Sequence, residues 1–148
     1  MSGFEEIKAR QREMWTVGDF PAIATRTMPA AAAIVERLRI GAGERVLDVA
    51  TGTGNGALAA AGRGAVATGL DLTPKLLAAA AERAAAAGVA IDFVEGDAEA
   101  LPWEDDRFDA VISMYGVMFA PDQQRAADEM VRVCRPGGRI GVAAWTPS

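Results

Sequence analysis

The stretch DVATGTGNGA, Asp48 to Ala57, decides the fold. It grows out of an apolar run, VLDVA at 46–50, that reads as a buried strand, and it leads into NGALAAAG at 55–62, a short helix. Strand, glycine turn and helix in that order form the entry unit of an open α/β sheet. Glycines at 52, 54 and 56 permit backbone conformations that other residues avoid, and they let a ligand come close to the main chain. The helix that follows offers N–H groups with no partner of their own. The spacing by itself also fits the dinucleotide pattern G-x-G-x-x-A, and glycines mark ordinary tight turns as well.

Working outward from that turn, strands and helices alternate. AVATGLDL at 65–72 reads as a second strand. Thr73 is placed to cap a helix with Pro74 in its first position, and KLLAAAAERAAAAG carries that helix to a stop at Gly88. IDFVEGD at 91–97 is a third strand and FDAVISM at 108–114 a fourth. A helix from Pro121 or Asp122 to Arg135, a PGG turn at 136–138 and a strand RIGVAAW at 139–145 complete the alternation. Strands separated by helices need parallel crossovers, which gives an α/β, Rossmann-like doubly wound parallel sheet of about five strands. On the other side of the turn, residues 3–15 form an amphipathic helix. Asp19 reads as an N-cap with Pro21 in the first turn of the next helix, Pro29 as an interruption, 30–39 as a further helix, and GAGE at 41–44 as a turn.

Composition sets the class. The chain has 148 residues, 51% of them hydrophobic and 24% charged, which suits one globular unit with a single core. Twenty acidic residues against fifteen basic ones leave a net charge of −5, with no basic stripe to meet phosphates, so nucleic acid is not the expected partner. One cysteine, Cys134, forbids an internal disulfide and fits a reducing, cytoplasmic setting; it falls on the apolar face of a helix, as a core residue does. The N-terminal residues lack the apolar core of a secretory signal, and no uncharged run is long enough for a bilayer, so no membrane partner is expected. The absence of histidine removes the commonest general base and metal ligand, and no metal site is expected.

Three acids sit at or beside successive strand ends. Asp71 ends the second strand, in the place where an acid accepts hydrogen bonds from both hydroxyls of a ribose. Asp97 ends the third, inside EGDAEALPW, where it can accept from an adenine amine while the Ala98 N–H reaches a ring nitrogen. Each alone reads equally as a turn or cap residue. Asp48 lies in an apolar strand just before the glycine turn. Facing the ligand, its charge would repel a pyrophosphate and tolerate a sulfonium or ammonium. Facing inward, it would hydrogen-bond the loop backbone.

The ordered series VLDVATGTGNG, GLDLTPKLL, VEGDAEALPWEDDRFDAVIS and EMVRVCRPGGRIGVAAW resembles the class I S-adenosylmethionine-dependent methyltransferases, and within them the type 11, ubiquinone- and menaquinone-biosynthesis-like branch. The resemblance implies a strand order 3-2-1-4-5, with residues 1–44 as a helical lead-in or lid and 45–148 as the cofactor-binding domain. It implies S-adenosyl-L-methionine as cofactor, S-adenosyl-L-homocysteine as product and a small-molecule acceptor; the alternatives are a cofactor-binding fragment without turnover and, on the glycine spacing alone, an NAD(P)-dependent oxidoreductase. Asp48, Ala50, Thr51, Gly52, Gly54 and Gly56 would surround the methionine part. Asp71 and Leu72 would meet the ribose, Asp97 and Ala98 the adenine, and Ser113 and Met114 would close the near wall. Trp15 and Phe20 would lie over the cofactor as a lid, or else pack the N-terminal helices on the core. Gly54→Val is expected to block the site and spare the fold.

Two departures stand out. The family's first motif usually has glycine near Ala50 or Thr51, and here neither is glycine. The family sheet usually continues past the fifth strand, so strand 139–145 is expected to expose an unpaired edge, either covered by another chain, such as a second copy, or completed in a longer protein of which this is a fragment. Tyr115 and Asp122 are the candidate catalytic residues. Tyr115 would orient an acceptor and Asp122 would accept a proton, with core packing and helix initiation as their alternatives.

Overall fold

A computed structural model describes residues 3–18 and 20–147. Two helices, α1 (Gly3–Val17) and α2 (Phe20–Arg37), precede the sheet. The alternating part then runs β1 (Arg45–Val49), α3 (Asn55–Gly62), β2 (Val66–Asp71), α4 (Pro74–Ala87), β3 (Ile91–Glu95), β4 (Phe108–Met114), a 3-10 turn at Val117–Phe119, α5 (Gln123–Val133) and β5 (Cys134–Ala143). The five strands form one parallel sheet in the order β3-β2-β1-β4-β5. The chain reverses direction across the sheet between β1 and β4, which opens a crevice beyond their C-terminal ends.

The pleat sorts the core. Val46 on β1, Ala67 on β2, and Ala110 and Ile112 on β4 point to one face, where they pack with Val35 and Ile40 and with Ala57 and Ala60 of α3. Leu47 and Val49, Leu70 and Val111 point to the other, against Met130 and Val133 of α5 and the Phe108 ring. Both faces are covered at the centre of the sheet, so β1 and β4 are buried along nearly their whole length, while the edge strands β3 and β5 are only partly buried. Cys134 is buried in the core as expected, but as the first residue of β5 and not on a helix, since α5 ends at Val133.

Local chemistry sets most boundaries where the sequence puts them. Pro74 opens α4 behind Thr73, and Gly88 closes it at φ 70°, with its N–H and that of Val89 returning to the helix's last carbonyls. Asp122 caps α5 by accepting from the Arg125 N–H at 3.0 Å. Three expectations need correction. Pro29 does not interrupt a helix; it lies inside α2. Burial of Ala24, Ala31 and Val35 along one side of α2 holds the helix on the core through a position where propensity alone would break it. The PGG segment is not a turn before β5. The strand already pairs at Cys134, opposite Phe108, and the segment is a bulge before pairing resumes between Arg139 and Ala110. β5 also ends at Ala143, short of Trp145. The N-cap expected at Asp19 and the side chain of Phe20 lie outside the described residues.

Candidate ligand-binding site

A cavity of about 380 Å³ occupies the crevice at the strand ends. Its floor is the glycine turn, through Ala50, Thr51 and Gly52. Asp71 and Leu72 follow from β2, Asp97 and Ala98 from beyond β3, and Met114 and Tyr115 from the end of β4. Trp15 of α1 closes it from above. A volume of this order suits an organic ligand, and most of the wall is apolar.

Asp71 is built into the floor. One carboxylate oxygen accepts from the Gly52 N–H at 2.8 Å and the other from the Thr73 N–H at 2.9 Å. These bonds aim the carboxylate and leave each oxygen a further lone pair toward the cavity. Burial raises its pKa from the ordinary value, and the backbone donors work against that rise. Asp97 is held alongside. The Gly96 N–H donates to the Asp71 carbonyl at 2.9 Å, so the ends of β2 and β3 are stapled together and the two acids open onto one space.

Asp97 has a partner that the sequence did not announce. Its Oδ2 accepts from Nζ of Lys8 at 2.7 Å, and its Oδ1 accepts from the Glu99 N–H at 2.9 Å. Lys8 also lies 3.3 Å from Glu99, and both side chains are nearly buried. Burial alone would lower the Lys8 ammonium, but hydrogen bonds and charge from Asp97 and Glu99 outweigh it and hold its pKa above the ordinary lysine value. Nothing local separates Lys8 from the other charges of α1; its partner is 89 positions away. Gln11 and Trp15 of the same helix bind the segment after β4. The Gln11 amide donates to the Phe119 carbonyl at 2.7 Å, and the Trp15 ring meets Phe119 edge-on at 5.4 Å. Thus α1 bridges two sides of the cavity mouth.

Asp48, Gly54, Gly56, Ser113 and Asp122 do not line the cavity, which corrects their expected placement. Asp48 is 1% exposed and points under the first turn of α3. Its Oδ2 accepts from the Thr51 hydroxyl at 2.7 Å and the Ala57 N–H at 2.9 Å, while Oδ1 has no hydrogen-bond partner. Burial pushes its pKa up to about 7, against those hydrogen bonds and with a small further push from the Asp71 charge. Gly56 is glycine because a Cβ there would lie 2.7 Å from Oδ2 of Asp48. Gly54 adopts φ 94°, and its Cβ position lies 3.2 Å from the Ala80 methyl of α4. A valine at 54 would therefore strain the backbone and the α3–α4 packing, so the fold is not spared. Ser113 is fully buried beneath the site, donating to the Val49 carbonyl at 2.7 Å and accepting from the Val117 N–H at 3.2 Å. Asp122 serves α5 as a cap.

Tyr115 does reach the cavity, and not as a core packer. Its backbone is left-handed at φ 60°, and its ring stacks on Trp145 at 4.5 Å between centroids. Ala50, at the end of the neighbouring strand, is also left-handed at φ 56°. The position where the resemblance leads one to expect glycine is thus one where the backbone favours it, and alanine bears the strain. Two strained non-glycine residues flank the point where the sheet reverses, a placement common at binding sites.

A second polar cluster escaped the sequence reading. The Asn55 amide donates to the Ala24 carbonyl at 2.9 Å and to the Thr27 hydroxyl at 3.1 Å. Arg83 of α4 donates to Asn55 Oδ1 at 2.9 Å and to the Thr53 carbonyl at 2.7 Å. This network pins α2, the glycine turn and α4 together. Among the described residues no group of side chains is arranged to hold a metal ion, and no helix is long and apolar enough to cross a membrane.

Comparison with known proteins places this architecture. Residues 47–142 match the model of the methyltransferase domain family. An uncharacterised protein of Mycobacterium tuberculosis is 52% identical over 143 residues, which is 96% of this chain and 52% of that protein. A demethylmenaquinone methyltransferase of Thermus thermophilus is 44% identical over 106 residues, covering 70% of this chain and 48% of that one. The crystal structure of a putative S-adenosyl-L-methionine-dependent methyltransferase from Methanococcus maripaludis superposes with a TM-score of 0.70 at 26% identity, over 92% of this chain and 62% of that one. The chain spans about half the length of the curated relatives it matches.

Proposed function

The chain belongs to the S-adenosylmethionine-dependent methyltransferase family, and on that premise we propose that it transfers a methyl group from S-adenosyl-L-methionine to a small-molecule acceptor. The observation that carries this reading is the shared cavity of Asp71 and Asp97 beside the glycine turn. When bound, the cofactor supplies a methyl group already activated by positive sulfur.

The residues present fit that group. Asp71, aimed by two backbone donors, has lone pairs left for the two ribose hydroxyls. Asp97 and Ala98 open onto the same cavity from one strand further along, with Lys8 and Glu99 beside them. Met114, Tyr115 and Trp145 border the opposite end, where an acceptor would approach. Their surface is largely apolar, and the stacked Tyr115 and Trp145 rings offer a flat wall. Holding two reactants in line can contribute about 7–11 kcal/mol to a displacement of this kind, without a histidine base.

A small acceptor is supported by the net charge of −5, which disfavours a polyanion, and by the relative named for methylating demethylmenaquinone. We also infer that β5 pairs with a second copy of the chain. It is an edge strand with Ile140 and Val142 partly exposed. Light scattering should find dimers, and a monomer at all concentrations would remove that inference.

Titration calorimetry with S-adenosylhomocysteine and, separately, NAD tests the cofactor. Binding of the first and not the second is expected; the reverse would defeat the proposal. Incubation with methyl-labelled S-adenosylmethionine and a panel of phenolic, amine and carboxylate acceptors then tests turnover. Binding without label transfer to any acceptor would reduce the chain to a cofactor-binding module.

A further inference from the structure

We propose that Arg26 binds the carboxylate at the amino-acid end of the cofactor, an inference that rests on the reading just given. Among the described residues, five charged side chains line the cavity: Lys8, Arg26, Asp71, Asp97 and Glu99. Three are acids, and the amino-acid end of the ligand carries a carboxylate that needs a cation. Lys8 is already committed, with Asp97 at 2.7 Å, Glu99 at 3.3 Å and Glu5 at 3.4 Å. Arg26 has no ion pair or hydrogen bond to any other described residue, although it faces the same space.

Its position matches the need. Asp71 and Asp97 assign the ribose and adenine to the β2–β3 side, so the amino-acid end extends back over the glycine turn. The turn of α2 that carries Arg26 is bound to that place. Asn55, which begins α3 directly after the glycine turn, holds the Ala24 carbonyl and the Thr27 hydroxyl on either side of it. Arg83 in turn holds Asn55 and the Thr53 carbonyl. An arginine presented by a pinned helix can meet a carboxylate with two parallel hydrogen bonds. The ammonium group of the ligand would fall to backbone carbonyls of the strand ends, leaving Arg26 specific for the carboxylate.

The test compares two probes by calorimetry on the whole chain. One is S-adenosylhomocysteine; the other is its decarboxylated form, which keeps the amine. The wild-type chain should prefer S-adenosylhomocysteine by about tenfold or more. Arg26→Gln should abolish that preference by weakening the carboxylate-bearing probe alone, and Arg26→Lys should restore part of it. Equal wild-type affinity for the two probes would overturn the inference. So would an Arg26→Gln chain that keeps the preference, or one that loses both probes equally. A wild-type chain that binds neither probe would overturn both this inference and the function on which it rests.

Discussion

Asp48 and Asp71 stand on adjacent paired strands and point to the same face of the sheet, yet they do opposite things. Asp48 is opposite Gly69, two residues deeper along β2 than Asp71. That one step of the pleat decides their roles. At the depth of Asp48 the face is covered by the first turn of α3, so the carboxylate is sealed against helix backbone with one oxygen lacking a partner. At the depth of Asp71 the helices have ended, and the carboxylate is aimed into the crevice by two backbone donors. A carboxyl group within an apolar strand shapes the loop above it; one at the strand's last residue opens onto the cavity.

Three measurements would break or sharpen this contrast. The largest effect belongs to Gly56→Val, which drives a side chain into the sealed carboxylate and displaces it from the Ala57 N–H. A loss of about 5 kcal/mol is expected, read from urea denaturation, because overpacking and disturbance of a buried acid combine. A loss below about 1 kcal/mol would mean that Asp48 is not confined there.

Next is the pH dependence of stability. The folded chain raises the Asp48 pKa to about 7, whereas the unfolded chain titrates near ~4. Between those values the folded state holds a proton that the unfolded state has released. The contribution of Asp48 is therefore fully present below about pH 4 and is lost as pH rises through about 7. Asp48→Asn should flatten that decline, by up to about 4 kcal/mol across the window at about 1.4 kcal/mol per unit. Thermal melts of both chains from pH 4 to 8 would show it, and parallel curves would contradict it. Asp71→Ala also removes the acceptor of the Gly52 and Thr73 N–H groups and should lower the melts at every pH. It should weaken S-adenosylhomocysteine binding by about 1–3 kcal/mol through lost ribose hydrogen bonds. Unchanged affinity in calorimetry would place the ribose elsewhere.

The acidic end of the cavity was legible in the sequence and its other parts were less so. Asp71 ends β2, Asp97 lies two residues beyond the last residue of β3, and the glycine, threonine and proline near them announce where those strands stop. Ala50 was legible as a departure, and its left-handed backbone explains why glycine would suit it. Lys8 was not legible, since its helix reads as a charged surface and only the packing of α1 brings it to Asp97. Trp145 was read into β5; it lies beyond the strand's end and stacks on Tyr115. The same packing of α2 that carries Pro29 through a helix also brings Arg26 to the cavity wall.

By itself the sequence determined the order of elements, the parallel sheet and the acids at its tips, because periodicity, caps and turn residues act over a few neighbouring positions. Tertiary packing alone decided that Asp48 faces inward, that Lys8 holds Asp97 and that Arg26 reaches the cavity with no partner among the described residues. Those outcomes depend on which helix covers which depth of the sheet, and that is settled by burial between segments far apart in the chain.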